Sequence, residues 1–140
     1  MTPQEMRART EAFAKAVQEF TGPLLERAAT GDSARQLLRA ADGIAANYRA
    51  AGRGRSHAEF TAKIGVVLEE ADEAEGWLCR LQGRRGVDEA MRLRLLDEST
   101  QLVKIFSRSA DTARRNRDSQ RRNRKRRPPH DDAGPYEPKG

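Results

Sequence analysis

Apolar residues recur along this chain at alternating spacings of four and three, the pattern of helices that each bury one stripe. Met6, Thr10, Phe13, Val17 and Phe20 set the first stripe, with Thr2 suited to the N-cap and Pro3 to the first helical position. Gly22-Pro23 interrupts it, leaving one or two turns between Leu24 and Ala29. Ala34, Leu38, Ala41, Ala45 and Tyr48, flanked by Leu37 and Ile44, form the second stripe, with Asp32 or Ser33 expected as its cap. Gly52 to Arg55 closes that helix. Ser56 and Glu59 then form an S-x-x-E capping box for the third, in which Phe60, Ile64, Val67, Ala71, Ala74, Leu78 and Leu81 follow without a break. Gly83 and Gly86 end it, Asp88 can cap the fourth, and Leu95, Ser99, Leu102 and Phe106 make its stripe beside Leu96 and Val103.

No segment shows the alternation of a strand. The pattern predicts an all-α fold, an up-down-up-down four-helix bundle with short glycine-bearing loops. A repeat of 3.5 residues implies left-handed packing at about 20° between helices. The stripe pattern fades near Asn116, so the expected organisation is a bundle over residues 1–116 and a disordered basic C-terminal tail over 117–140.

Charge changes this picture. The net charge is +6, yet it is not spread over the chain. Between Arg114 and Arg127 stand nine Lys/Arg against the single acid Asp118, and the three acids and one Lys beyond take back −2. The remaining residues, 1–113, therefore sum to zero (6 − 8 + 2). A neutral body with one concentrated basic segment has a local field. The single cysteine, Cys79, excludes an internal disulfide and a paired-cysteine metal knuckle. No run approaches the roughly 18 apolar residues of a membrane span. Met1 to Glu5 lacks the basic start of a secretion signal, so the expected location is cytoplasmic, with no membrane partner.

The combination Asn47-Tyr48-Arg49-Ala50-Ala51, Arg53-x-Arg55-Ser56, Glu59-Phe60, Lys63-Ile64-Gly65, Glu69-Glu70-Ala71-Asp72-Glu73 and Trp77-Leu78 closely resembles the four helix bundle protein family. That family is known from reading frames inside intervening sequences of bacterial 23S ribosomal RNA genes. The likeness covers roughly residues 10–110. It implies a left-handed up-down-up-down bundle, a ring-shaped homopentamer, and kinship with the accessory proteins of diversity-generating retroelements, which bind nucleic acid and a reverse transcriptase. Gly52 and Gly54 loosen the turn relative to that pattern, and the tail after Asn116 lies outside it.

Candidate chemistry is sparse. Glu69, Glu70, Asp72 and Glu73 cluster on about 1.5 turns, but bundle metal sites need Glu-x-x-His pairs. Three residues before His57 stands Gly54, and three before His130 stands Arg127. A solvated or salt-bridged face is the better reading, with no cofactor. Gly52 to Ser56 lacks the Lys-Ser/Thr ending of a phosphate-binding loop. His57 reads as an exposed first-turn residue and Cys79 as a small packed one. Trp77, one position off the stripe, hints at a subunit contact. Arg49, Arg53 and Arg55 form either a phosphate-binding edge or, preferably, a salt-bridge network with the acidic cluster. Glu59 and Lys63 stand one turn apart, at pairing distance on a helix. No nucleophile–base pair supports an enzyme.

The basic run carries the functional expectation. Arg114, Arg117, Arg121 and Arg124 would share one face of a continued helix, widened by Arg115 and Arg122, with Lys125, Arg126 and Arg127 completing the run. Guanidinium groups fork onto phosphates and stack on bases. The run resembles arginine-rich RNA-binding peptides. The expected protein is a non-catalytic homo-oligomer that binds nucleic acid, RNA ahead of DNA, chiefly through these residues and secondarily through Arg49, Arg53 and Arg55. The competing expectation is a protein-interaction scaffold with no nucleic-acid role.

Overall fold

The computed structural model describes residues 1–126. Four α-helices, α1 (Pro3–Thr21), α2 (Gly31–Ala51), α3 (His57–Arg80) and α4 (Glu89–Arg126), account for most of them, with one 3-10 turn at Gly22–Leu24. No strand occurs among the described residues.

Each stripe does what its spacing requires. Met6, Thr10, Phe13, Val17 and Phe20 of α1 are buried, as are all seven stripe residues from Phe60 to Leu81 and the four of α4. In α2 the stripe is rotated slightly. Leu37 and Ile44 are fully enclosed, while Leu38 and Tyr48 are half-buried at its margin. Burying such side chains contributes about 1.5–3 kcal/mol each. Most form one continuous core; Ala51, Phe60, Ile64, Ala110 and Ala113 form a second, smaller cluster. The packing joins α1 to α2, α2 to α3 and α3 to α4, and α1 also meets α4.

Contacts between α3 and α4 pair His57 with Ala113, Glu75 with Thr100 and Leu78 with Arg92, so the two helices run in opposite senses. Arg9 of α1 reaches Glu98 of α4 through two bonds, Nε at 2.8 Å and Nη2 at 2.6 Å. That hydrogen bond, reinforced by the glutamate's charge, raises the Arg9 pKa against the opposing effect of burial.

The caps differ in detail from expectation. Thr2 and Glu5 complete a full capping box on α1. On α3 the Ser56 hydroxyl accepts the Glu59 N–H, but the Glu59 carboxylate takes the Arg55 N–H at 2.7 Å, one residue earlier than a closed box. Glu59 is thereby held at the turn and no ion pair to Lys63 forms. Helix α2 starts at Gly31, before Asp32 and Ser33, which lie inside its first turn. A Cβ on Gly31 would stand 2.6 Å from the Leu25 carbonyl oxygen, so only glycine permits that close approach at the helix start. Thr30, instead of capping, donates its hydroxyl to the Leu24 carbonyl at 2.9 Å. Asp88 caps α4 through the Met91 N–H. Gly83 and Gly86, with φ of 72° and 87°, make the left-handed turns between α3 and α4.

The largest departure concerns the C-terminal boundary. Helix α4 does not stop at residue 116: it runs unbroken for 38 residues to Arg126, so residues 117–126 are helix and not irregular tail. Residues 127–140, with Arg127 among the candidates, lie outside the described residues.

Candidate nucleic-acid interface

Helix α4 changes character at Ala113. Up to that point its inward stripe carries Leu95, Ser99, Leu102, Phe106, Ala110 and Ala113 into the core. Three to four residues per step further on, the same stripe carries Arg117, Arg121 and Arg124. Helix α3 begins at His57, which meets α4 at Ala113, and among the described residues beyond that point only Arg117, whose Nε is buried, is not exposed. Residues 114–126 therefore form an overhang about 20 Å long at 1.5 Å per residue. Arg114, Arg115, Arg121, Arg122, Arg124, Lys125 and Arg126 are exposed, and Arg117 is half-buried at the junction. Asp118 is the only acid, 3.9 Å from Arg117 Nε, and Arg114 lies 3.8 Å from Asp111. Such exposed pairs hold charge weakly. Eight of the nine tail candidates thus occupy one helix with room for a polyanion along most of its circumference.

His57 fixes where the overhang departs. It is buried, not exposed, and its Nε2 lies 2.8 Å from the Ala113 carbonyl oxygen. A carbonyl only accepts, so Nε2 carries the proton. Its i+4 neighbour Thr61 bonds back to the His57 carbonyl at 2.9 Å.

Arg49, Arg53 and Arg55 lie near the same end of the bundle but do not engage the acidic cluster. Arg49 approaches Glu11 of α1 at 3.6 Å. Arg53 and Arg55 are exposed. Between the start of α1 and the end of α2 lies an open groove of about 560 Å³, lined by Gln4, Arg7, Ala8, Glu11, Arg49, Gly52 and Arg53. Arg55 does not line it. Tyr48, just below, has its hydroxyl pKa raised by burial and partly restored by the charge of Arg7.

The acidic cluster spreads around α3. Glu70 packs toward α2, where a Cβ on Gly43 would meet its carboxyl carbon at 2.9 Å. Its Oε2 is buried with no hydrogen-bond partner. Burial first, then the charges of Glu73 and Glu69, raise its pKa, with Arg39 opposing. Among the described residues no group of three His, Cys, Asp or Glu is arranged to hold a metal ion. Trp77 packs on the core and carries the Arg80 guanidinium 4.6 Å above its ring. Cys79 is exposed, not packed, because it falls on the outward side of α3 beside the buried Leu78.

Sequence reasoning missed two groups. Arg92 is buried at 3% exposure, donating to the Leu78 carbonyl at 3.1 Å and to Glu89 at 2.6 Å; it occupies a stripe position, three residues before Leu95, where an arginine reads as polar surface. Arg7 sits one turn before Glu11 on α1, and only tertiary packing brings it to Arg49 and Arg53.

The described residues form an all-helical, four-helix protein with a basic helical extension. It is similar to the crystal structure of a protein of unknown function from the S23 ribosomal protein family of Bacteroides thetaiotaomicron, with a TM-score of 0.67 and 25% identity over 74% of this chain and 96% of that one. No family profile and no curated protein matches the chain. No helix of the described residues is long and apolar enough to cross a membrane.

Proposed function

We propose that this chain is a non-catalytic nucleic-acid-binding protein whose principal contact surface is the arginine-bearing overhang of α4. One observation carries the reading: the stripe that buries Phe106, Ala110 and Ala113 continues as Arg117, Arg121 and Arg124 where the bundle ends. A helix placed beyond its own core, with eight cations and one anion, gains stabilisation from a polyphosphate and little from anything else in the chain. Arginine's planar fork favours RNA over an acidic protein surface, since it both pairs with phosphate and stacks on bases.

The wider frame of the proposal is a cytoplasmic homo-oligomer, a pentameric ring of left-handed up-down-up-down bundles, acting as an accessory to a reverse transcriptase or to an RNA-processing element. Its support is the resemblance of the α2–α3 motifs to the 23S intervening-sequence family and the likeness to a structure from the S23 ribosomal protein family. Several overhangs on one ring would raise effective concentration for a single strand.

The test is a salt titration of binding to structured RNA and to duplex DNA, comparing the full chain with one ending at Ala113. Four to six phosphate contacts imply a loss of roughly two to three decades in affinity between about 50 and 200 mM salt. The shortened chain should lose most of the affinity and most of the slope. Equal affinity and slope in both would defeat the reading, and binding by neither would favour the protein-interaction scaffold.

A further inference from the structure

The groove between α1 and α2 has an arginine set whose charge the fold only partly neutralises. Arg7 and Arg53 form no ion pair with any described residue, and Arg49 has only the long 3.6 Å contact to Glu11, with both side chains about half-exposed. Three guanidinium groups against one carboxylate leave the lining at +2. Arg7 leans over the last turn of α2, since a Cβ on Gly52 would lie 3.8 Å from its Nη1. The groove volume of about 560 Å³ falls within the range of small-ligand sites and exceeds what one carboxylate needs.

Its position matters as much as its charge. Ala51, between Arg49 and Arg53, packs in one cluster with Ala110 and Ala113 of α4. The groove therefore opens at the end of the bundle from which the overhang departs. Two basic features supplied by distant parts of the sequence converge on one end of the molecule.

We infer that this groove is a phosphate-binding site formed by Arg7, Arg49 and Arg53. Resting on the nucleic-acid reading above, its occupant is a backbone phosphate of the strand whose neighbouring stretch lies along the overhang. Arg7 and Arg53 fork onto the phosphate oxygens, and Glu11 opposes binding by holding Arg49 and repelling the anion. The other source of the same chemistry is a free nucleotide.

The experiment uses the full chain in four forms: wild type, Arg7→Ala with Arg53→Ala, Glu11→Gln, and Arg117→Gln with Arg121→Gln and Arg124→Gln. Each is titrated with a labelled RNA oligonucleotide, and separately with ATP and with pyrophosphate. Thermal melting should be unchanged in the groove variants, whose altered side chains are exposed or half-exposed. The double groove variant should bind RNA about tenfold more weakly, with its salt slope reduced by roughly 1.4–1.8 for two lost contacts. Glu11→Gln should bind about threefold more tightly, a gain that a merely structural glutamate would not produce. If the groove variants match wild type while the overhang variant fails, the groove is overturned and the nucleic-acid reading stands. If RNA does not bind wild type but ATP does, and the double variant loses it, the nucleic-acid reading falls and the groove is a free-nucleotide site. Binding of none of the three ligands overturns both.

Discussion

Helix α4 contains two stretches that share a backbone and differ in everything the backbone carries. From Glu89 to Ala113 its inward stripe meets α3 and α1 across a core of Leu95, Leu102 and Phe106. From Arg114 to Arg126 the stripe is cationic, and past Arg117, half-buried at the junction, every residue is exposed. Helical geometry is indifferent to this change, because arginine is nearly as good a helix former as leucine. Partner choice is not indifferent. An apolar stripe is satisfied only by the chain's own core, whereas a guanidinium stripe stays solvated until an anion arrives. One periodicity serves folding for part of the helix and, in the proposed function, recognition for the rest, with side-chain chemistry as the divider.

The largest effect expected from breaking this comparison lies on the folded side. Phe106 is 1% exposed and meets the Tyr48 ring at 5.5 Å, tilted by 55°. Phe106→Ala should cost about 3–5 kcal/mol in urea unfolding. Arg121→Ala, four turns further along the same helix, should stay within about 0.5 kcal/mol of wild type.

Arg92 sharpens the comparison by reversing it, as a cation inside the folded half. It supplies the Leu78 carbonyl at the end of α3, so Arg92→Ala leaves that acceptor without its partner. A loss of about 1–3 kcal/mol is expected, measurable by the same unfolding curves and absent from any overhang arginine.

The smallest effect concerns Glu70. Its pKa is raised above the ordinary value of 4.5, burial being the largest cause, so ionising it costs the folded state more than the unfolded one. The contribution favours the fold below the ordinary carboxylate value and is lost as pH rises through the raised one. Because the residue is only partly buried, screening limits the effect. Glu70→Gln should stabilise by a few tenths of a kcal/mol at neutral pH and by nothing near pH 4, checked by melting temperature against pH.

What the sequence made legible follows the same division. Stripe positions could be read because burial and spacing point to the same residues: Phe60 to Leu81 all lie inside. Signals that depend on a partner elsewhere could not. His57 looked like surface because its first-turn position says nothing about the Ala113 carbonyl it meets. Gly31, not Asp32, opens α2, and its close approach to the Leu25 carbonyl is one that no spacing rule encodes. The overhang was visible as a conditional periodicity, Arg114, Arg117, Arg121 and Arg124, but loss of apolar residues near Asn116 suggested an end. Helix continuation needs no apolar stripe once a long folded segment has already nucleated it. The tail arginines could thus be grouped from spacing, while the placement of Arg7 beside Arg49 and Arg53 in one groove required the packing of α1 on α2.

Residues 114–126 are proposed above as the surface that meets nucleic acid. Amide hydrogen exchange of the full chain, measured with and without a structured RNA, addresses it directly. Exchange over residues 114–126 should slow at least about tenfold on adding RNA, since an overhang whose side chains are exposed past Arg117 is protected mainly by its own helix. Residues 89–113, already held by the core, should change little. RNA-induced protection confined to the bundle, with the overhang exchanging as fast as before, would contradict the account.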